Sequence, residues 1–386
     1  MEGNLRYEKQ YSESGKGKLL VARCFIPKGA EIFSEEPLIS CQFAWNKLYK
    51  YKACDHCMKP LETAEENAKR LTNDPELALP FKEQCSVTKE RHTQCQKCQA
   101  EYCSQECQTQ AYQLYHRMLC DMLSSPSSSL NKLQEIWKNS HYPPETCNIL
   151  LIARMIARIR QAENPKLMFQ EFLSFVHDTS DQEQQYVHKL LGNQFSEIQT
   201  MVNSELREAL FDEDLSEIFS IEGTQKFLCL IGRNGQGVGT SSFGTWVKNV
   251  EDLELPESDK TALDLLIDQI YEKMNEVNGH FLNCEGSGLY SLHSCCNHSC
   301  TPNAEVQFPY GNHTLQLVAT KDIESGEEIE ISYLDDCQLR RSKATRQQIL
   351  LENYMFLCQC NKCTTDQDDE TDESSDDDES DENMEN

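Results

Sequence analysis

Over 17–45 short β-like runs, at 19–22, 31–33 and 38–43, alternate with Pro27, Gly29 and Pro37. Apolar runs of this length read as strands, and Pro and Gly end them because they favour turns. A small all-β start is therefore predicted. From about 130 to 277 the apolar spacing changes to three and four residues. Over 261–277, Leu263, Ile267, Ile270, Tyr271, Met274 and Val277 fall on one side of a 3.6-residue helix, which predicts an amphipathic helix lying on a core. From Ala304 the period becomes two. Val306 and Phe308, a turn at 309–312, then Leu315 and Leu317 predict a hairpin, and 328–333 predicts another strand. With strands at both ends and helices between, one β core is expected to be assembled from distant parts of the chain. No internal repeat is visible.

Two breaks punctuate the helical region. A serine-rich patch at 124–129 reads as a linker. The stretch 232–239 (GRNGQGVG) lacks the Lys-Ser/Thr end of a phosphate-binding P-loop and the G-x-G-x-x-G spacing of a dinucleotide fold, so it reads as a strand-to-loop turn.

Charge narrows the classes of partner. The 386 residues, enough for two or three compact units, carry a formal net charge of −28. Residues 366–385 hold thirteen acidic side chains and no basic one, and the rest of the chain is acidic too. Binding a phosphate backbone requires Lys and Arg, so a general nucleic-acid binder and direct sequence-specific DNA binding are excluded, and basic protein partners are favoured. The tail has almost nothing apolar to bury and is expected to be a disordered solvating segment. The most apolar stretch, 149–159, is interrupted by Arg154 and Arg158 and is too short and charged to span a bilayer, so no membrane association is expected.

Twenty cysteines without a secretory n-region, apolar h-region or cleavage site read as intracellular thiolates, many of them on metal. Residues 54–120 have few long apolar runs, so metal rather than a core must order them. Their pairs are Cys54-x2-Cys57, Cys95-x2-Cys98, Cys103-x3-Cys107 and His116-x3-Cys120, eight ligands for two tetrahedral zinc sites. The long loop between Cys57 and Cys95 also contains Cys85 and His92, and Cys85 competes with the first pair for a place on metal. The two-residue gap favours Cys54 and Cys57. A second constellation, Cys358-x-Cys360-x2-Cys363, lacks a fourth ligand nearby, for which Cys300 is the candidate. Three zinc ions are expected.

Cys300 lies in Asn297-His298-Ser299-Cys300-x-Pro302-Asn303, followed by Gly326-Glu327-Glu328-Ile329 and Ile331-Ser332-Tyr333. These resemble the two signature motifs of SET-domain methyltransferases, and residues 54–120 resemble a MYND finger. Over 15–363 the chain resembles the SET-and-MYND family of lysine methyltransferases. The resemblance implies an α+β fold: a SET β-fold with a pseudo-knot, an inserted MYND finger, a helical insert and a zinc-binding post-SET segment. It divides the chain into 1–53 (first part of the SET domain), 54–120 (finger with its long insert) and 121–277 (helical insert, with 232–239 a candidate piece of the SET core). There follow 278–337 (C-terminal SET core), 338–363 (post-SET segment) and 364–386 (acidic tail).

The resemblance also implies roles. Cross-braced ligation would put Cys54, Cys57, Cys103 and Cys107 on one zinc and Cys95, Cys98, His116 and Cys120 on the other, with Cys300, Cys358, Cys360 and Cys363 on the third. The cofactor implied is S-adenosylmethionine, contacted by Ser294, Asn297, His298, Tyr333 and Phe356. Lys16 and Lys18 join them from the loop 15–20, in which Leu19 stands where the family usually has Gly. The family asparagine in a strand facing the cofactor matches Asn234, with Asn278 as the competing position. Tyr354 and Phe356 would wall the lysine channel.

Tyr333 is the expected catalytic residue. Methyl transfer needs a neutral, desolvated amine held in line, and a hydroxyl on a rigid strand can orient it. The implied substrates are histone lysines on chromatin or other basic proteins, ribosomal ones for example. Proline-containing peptides would bind the finger, and the protein would be a monomer of cytoplasm and nucleus. The alternative is a catalytically weak SET fold serving as a peptide-binding scaffold or corepressor adaptor. A dead scaffold would be expected to lose Tyr333, Asn297 or His298, and all three are present.

Overall fold

A computed structural model of the chain describes residues 5–12, 17–125, 127–140, 148–176, 195–279 and 281–365. Lys16 and the acidic residues 366–386 lie outside them. The β core joins the two ends of the chain. Strand β1 (Tyr7–Tyr11) pairs antiparallel with β2 (Lys18–Ala22), and β3 (Glu31–Glu35) joins the hairpin β10 (Ala304–Gln307) and β11 (Leu315–Ala319) in the order β10-β11-β3. β4 (Ile39–Gln42) pairs with β8 (Cys284–Leu289), which pairs in turn with β7 (Gln236–Thr240). Gly286 of β8 leaves no room for a side chain: a Cβ there would lie 2.4 Å from the Cys41 carbonyl oxygen and 2.6 Å from Met58 Sδ. Strand β1 carries no alternating apolar signal, because Tyr7 is its one buried residue.

The stretch 232–239 is a helix-to-strand junction rather than a strand-to-loop turn. Asn234 ends a helix and Gln236 opens β7. Of the strand expected at 328–333, only β12 (Glu330–Ile331) joins a ladder. The serine-rich patch separates two helices, Arg117–Ser124 and Ser129–Ser140.

The helices build two further cores. One surrounds α5 (Ile149–Gln161), whose Leu151, Ile152, Met155, Ile156 and Ile159 are all buried. Asn148 caps this helix, its Oδ1 accepting the Leu150 N–H, while its Nδ2 donates to the carbonyls of Cys41 and Gln42 and ties the helix to β4. The second core is made by the insert of the finger. Helix α1 (Ala64–Thr72), closed by a Thr63–Glu66 capping box, places Ala64, Ala68 and Leu71 against α9 (Ser242–Glu251) and α10 (Glu257–Asn278), around the buried Trp246. Leu263, Ile267, Ile270 and Met274 of α10 face this core, and Tyr271 packs partly against it. Val277 does not share that face and is exposed. The 22-residue α10 outruns the 9-residue α1 and 10-residue α9 that cover it. No helix among the described residues is long and apolar enough to cross a membrane.

Candidate active site and metal centres

No disulfide joins the described cysteines, and twelve Cys and His side chains gather in three groups. Cys54, Cys57, Cys103 and Cys107 form the first, Cys95, Cys98, His116 and Cys120 the second, and Cys300, Cys358, Cys360 and Cys363 the third, with ligand atoms of each group within 4.8 Å of one another. The finger hairpin β5 (Thr93–Gln94) and β6 (Glu101–Tyr102), with α2 (Gln105–Ala111), sets out the first two groups. Four ligands about 2.3 Å from one zinc stand about 3.8 Å apart at the corners of a tetrahedron. The separations fit: Cys57–Cys103 is 3.7 Å, Cys95–Cys120 3.6 Å, Cys300–Cys358 3.9 Å and Cys300–Cys363 3.6 Å. These donor sets suit zinc. Cys85 lies in none of them and packs against the core around Trp246.

The motif that contributes Cys300 is threaded through the β core. β9 (Asn297–His298) runs parallel to β12, with Asn297 opposite Glu330 and His298 opposite Ile331. On the other side of this segment the Ile329 N–H donates to the Leu20 carbonyl and the Ala22 N–H to that of Glu327, so residues 327–331 pass between β2 and β9. Asn303 completes the lock. Its Oδ1 accepts the Glu330 N–H and its Nδ2 donates to the Glu328 carbonyl, so the side chain replaces a strand partner.

This lock fixes Tyr333 at the seam between the β core and the third cluster. Its hydroxyl donates to the Cys296 carbonyl at 2.7 Å, and its ring packs 4.8 Å from that of Tyr354 and 6.2 Å, edge-on, from that of Phe356. Both aromatics face one space because Met355, between them, turns the chain with a left-handed φ of 63°. Burial pushes the Tyr333 phenol well above its usual range, so it stays a neutral hydroxyl.

His298 is oriented differently from a side chain that reaches a ligand. It is buried, its Nδ1 accepts the Tyr333 N–H at 2.9 Å, and its Nε2 lies 3.4 Å from Cys300 Sγ. With Nδ1 an acceptor, Nε2 carries the proton, and the ring bridges the Cys300 sulfur to the backbone of Tyr333. The histidine that only packs is His293, which is edge-on to Tyr290, with neither ring nitrogen partnered among the described residues. Burial lowers its pKa to about 4. The unfolded chain takes up a proton below about 6.5 while the folded chain does not, so stability is lost as pH falls from there towards 4. His293→Leu should therefore stabilise the protein by about 1 kcal/mol or more. The gain should be larger at pH 5.5 than at pH 7.5 in thermal melts, and an equal or opposite effect would refute this.

The remaining candidates divide. Asn297 Nδ2 donates to the Lys18 carbonyl and to Glu328 Oε1. Both partners only accept, which fixes the amide orientation and leaves Oδ1 with no donor among the described residues. That free acceptor beside Lys18 and Glu328 fits a cofactor bearing an ammonium group. The Ser294 hydroxyl donates to the Ser291 carbonyl at 3.4 Å. Leu19 sits in the regular β1–β2 ladder opposite Gln10, and the left-handed position of this loop is taken by Gly17, at φ 79°. Lys18 Nζ donates to the Ser174 carbonyl. Asn234 is a correction: it is the last residue of α8 (Ile221–Asn234), not a strand residue, and its amide already donates to the carbonyls of Leu230 and Val176. Asn278 ends α10 and donates to Leu71 and Met274, in the core around Trp246.

The SET domain family matches residues 17–334. Protein-lysine N-trimethyltransferase SMYD5 of Gallus gallus is 50% identical over 364 residues, covering 94% of this chain and 87% of the relative. The protein of the same name from Homo sapiens is 48% identical over 364 residues, with the same coverage. The chain belongs to the SET-and-MYND family of protein-lysine methyltransferases. Within that family the long finger insert, the Asn-Gly-Gln-Gly stretch and the acidic tail point to its fifth member, whose name both relatives carry. Histone-lysine N-methyltransferase SMYD3 of Mus musculus is more distant, 28% identical over 292 residues, 74% of this chain and 52% of its own. This SET-and-MYND chain is thus a protein-lysine methyltransferase, with an α+β SET fold and Cys/His clusters able to bind zinc, in a family that uses S-adenosylmethionine.

Sequence reasoning missed two polar side chains of this site. Glu328, which holds Asn297, stands inside the Gly-Glu-Glu-Ile motif with nothing to mark that role, and Arg346, buried beside the third cluster, carries no local signal.

Proposed function

We propose that this methyltransferase takes its methyl group from S-adenosylmethionine and transfers it to lysines of basic proteins, histone or ribosomal, in cytoplasm and nucleus, with three zinc ions in its structure. The observation that carries the reading is Tyr333, held on the Cys296 carbonyl between Tyr354, Phe356 and the threaded motif. When bound, the cofactor supplies an electrophilic methyl on a sulfonium. Asn297 Oδ1 would accept from its ammonium group, with Ser294 and Lys18 beside it and Phe356 against it. Tyr354 and Phe356 would strip water from the incoming lysine, and a neutral amine would donate a hydrogen bond to the Tyr333 oxygen, whose own hydrogen is held by the Cys296 carbonyl, leaving the amine lone pair free for the methyl. The acidic charge supports basic substrates. The finger is a candidate site for proline-containing peptides. The word trimethyltransferase in the two relatives' names supports successive transfers to one amine.

Incubating the purified enzyme with a whole lysate and labelled methyl donor, then mapping labelled sites by mass spectrometry, tests this. Label should appear on lysines of histone or ribosomal proteins, including trimethylated ones. Label confined to acidic proteins would overturn the substrate class, and transfer without S-adenosylmethionine would overturn the cofactor.

A further inference from the structure

The third thiolate cluster is held at the end of α12 (Lys343–Tyr354), the helix whose last residue walls the site. Four thiolates on one Zn2+ leave a net charge of −2, and a buried uncompensated charge costs several kcal/mol. The cluster is largely buried, with Cys300, Cys358 and Cys363 between 2% and 5% exposed. Three donors face its sulfurs. His298 Nε2 lies against Cys300, the Cys360 N–H against Cys358 at 3.5 Å, and Arg346 Nη2 against Cys363 at 3.6 Å. Of these only Arg346 brings a full positive charge, and it is 2% exposed, an unusual place for a guanidinium. Its Nη1 donates to the Arg341 carbonyl at 2.6 Å, which aims the fork at the sulfurs. The adjacent Gln347 donates from Nε2 to the Cys358 carbonyl, so one turn of α12 grips the cluster at two points.

We propose that Arg346 is a positioning residue of the methyltransferase: its buried guanidinium offsets half of the charge of the third zinc–thiolate centre and, through that centre, holds α12 with Tyr354 and Phe356 against Tyr333. This rests on the reading that the third cluster carries zinc. Arginine suits the role because it stays charged at every working pH and its planar fork reaches the thiolate and a carbonyl at once. A methionine fills much of the same volume without charge, and a lysine restores charge without the fork.

The test uses the full-length zinc-loaded chain as parent, Arg346→Met and Arg346→Lys. Total zinc is measured first, then zinc release to a chromogenic chelator, then alkylation of each cysteine by mass spectrometry. The parent should hold three ions. Arg346→Met should lose one of them at least about tenfold faster than the parent, the scale of outer-shell partners of metal ligands, with Cys300, Cys358, Cys360 and Cys363 alkylated and the finger cysteines protected. Arg346→Lys should recover much of that loss. A Met variant that releases zinc like the parent, loses all three ions together, or is matched by the Lys variant would overturn the proposal, because packing alone would then account for Arg346. A parent that holds two ions, with Cys300 alkylated from the start, would instead overturn the third zinc itself and the proposal with it.

Discussion

Tyr333→Phe is expected to lower methyl transfer at least about tenfold, or ~1.4 kcal/mol of barrier, and to leave the fold and cofactor affinity nearly unchanged. The substitution removes one oxygen and keeps every other contact. The Tyr333 backbone N–H still donates to His298 Nδ1, and the ring still packs against Tyr354 and Phe356. One hydrogen bond is lost, to the Cys296 carbonyl, which costs about 1 kcal/mol of stability. The missing oxygen is the polar group best placed to orient an amine in this aromatic enclosure, and burial keeps it protonated. Holding a nucleophile in line is a transition-state effect, so the loss should fall mainly on kcat. Steady-state kinetics on a protein substrate, with calorimetric titration of S-adenosylmethionine, separate the two. Equal kcat in variant and parent would remove the hydroxyl from the mechanism.

Local signals in the sequence were the ones that could be read without coordinates. The finger pairs are separated by two or three residues, so each presents half a tetrahedron whatever the rest of the chain does. Cys300 was legible by shortage, because Cys358, Cys360 and Cys363 needed one more ligand. The hairpin at 304–319 follows from the period of two alone. What stayed hidden depends on distant partners. Residues 58–92 lie inside the finger by sequence but pack on helices at 242–278, and no spacing within either segment reveals the other. Strand β1 reads as polar because pairing rather than burial makes it a strand. The motif marked His298 as important, but its two hydrogen bonds, to a backbone N–H and a thiolate, come from residues beyond any periodic pattern. Asn234 matches the family's strand asparagine by resemblance alone, and the helix before it runs to that residue.

Arg154 shows the same limit in the other direction, because the charge that marks 149–159 as unfit for a membrane is buried at the junction of finger and SET core. Its Nη1 donates to the carbonyls of Ser40 and Asp55 and to the Tyr115 hydroxyl, its Nη2 donates to Asp55 Oδ1 at 2.7 Å, and its guanidinium lies 4.3 Å over the Tyr115 ring. Ser40 belongs to β4, while Asp55 stands between the zinc-ligand candidates Cys54 and Cys57, so one side chain of α5 fastens the finger to the catalytic fold. Removing one partner of a buried pair leaves the other's charge without compensation, at a cost of 3–5 kcal/mol when both are fully buried. The Asp55 side chain is 25% exposed, which puts Arg154→Met at the lower end, about 3 kcal/mol. Urea unfolding of the zinc-loaded protein should show it. Adding Asp55→Asn should cost less than the two single changes summed, since the carboxylate left behind is then neutral, with a coupling of about 1 kcal/mol or more. Strict additivity, or a single-variant loss under about 1 kcal/mol, would mean that apolar packing around α5 alone docks the finger, and that Arg154 is tolerated in this core rather than needed.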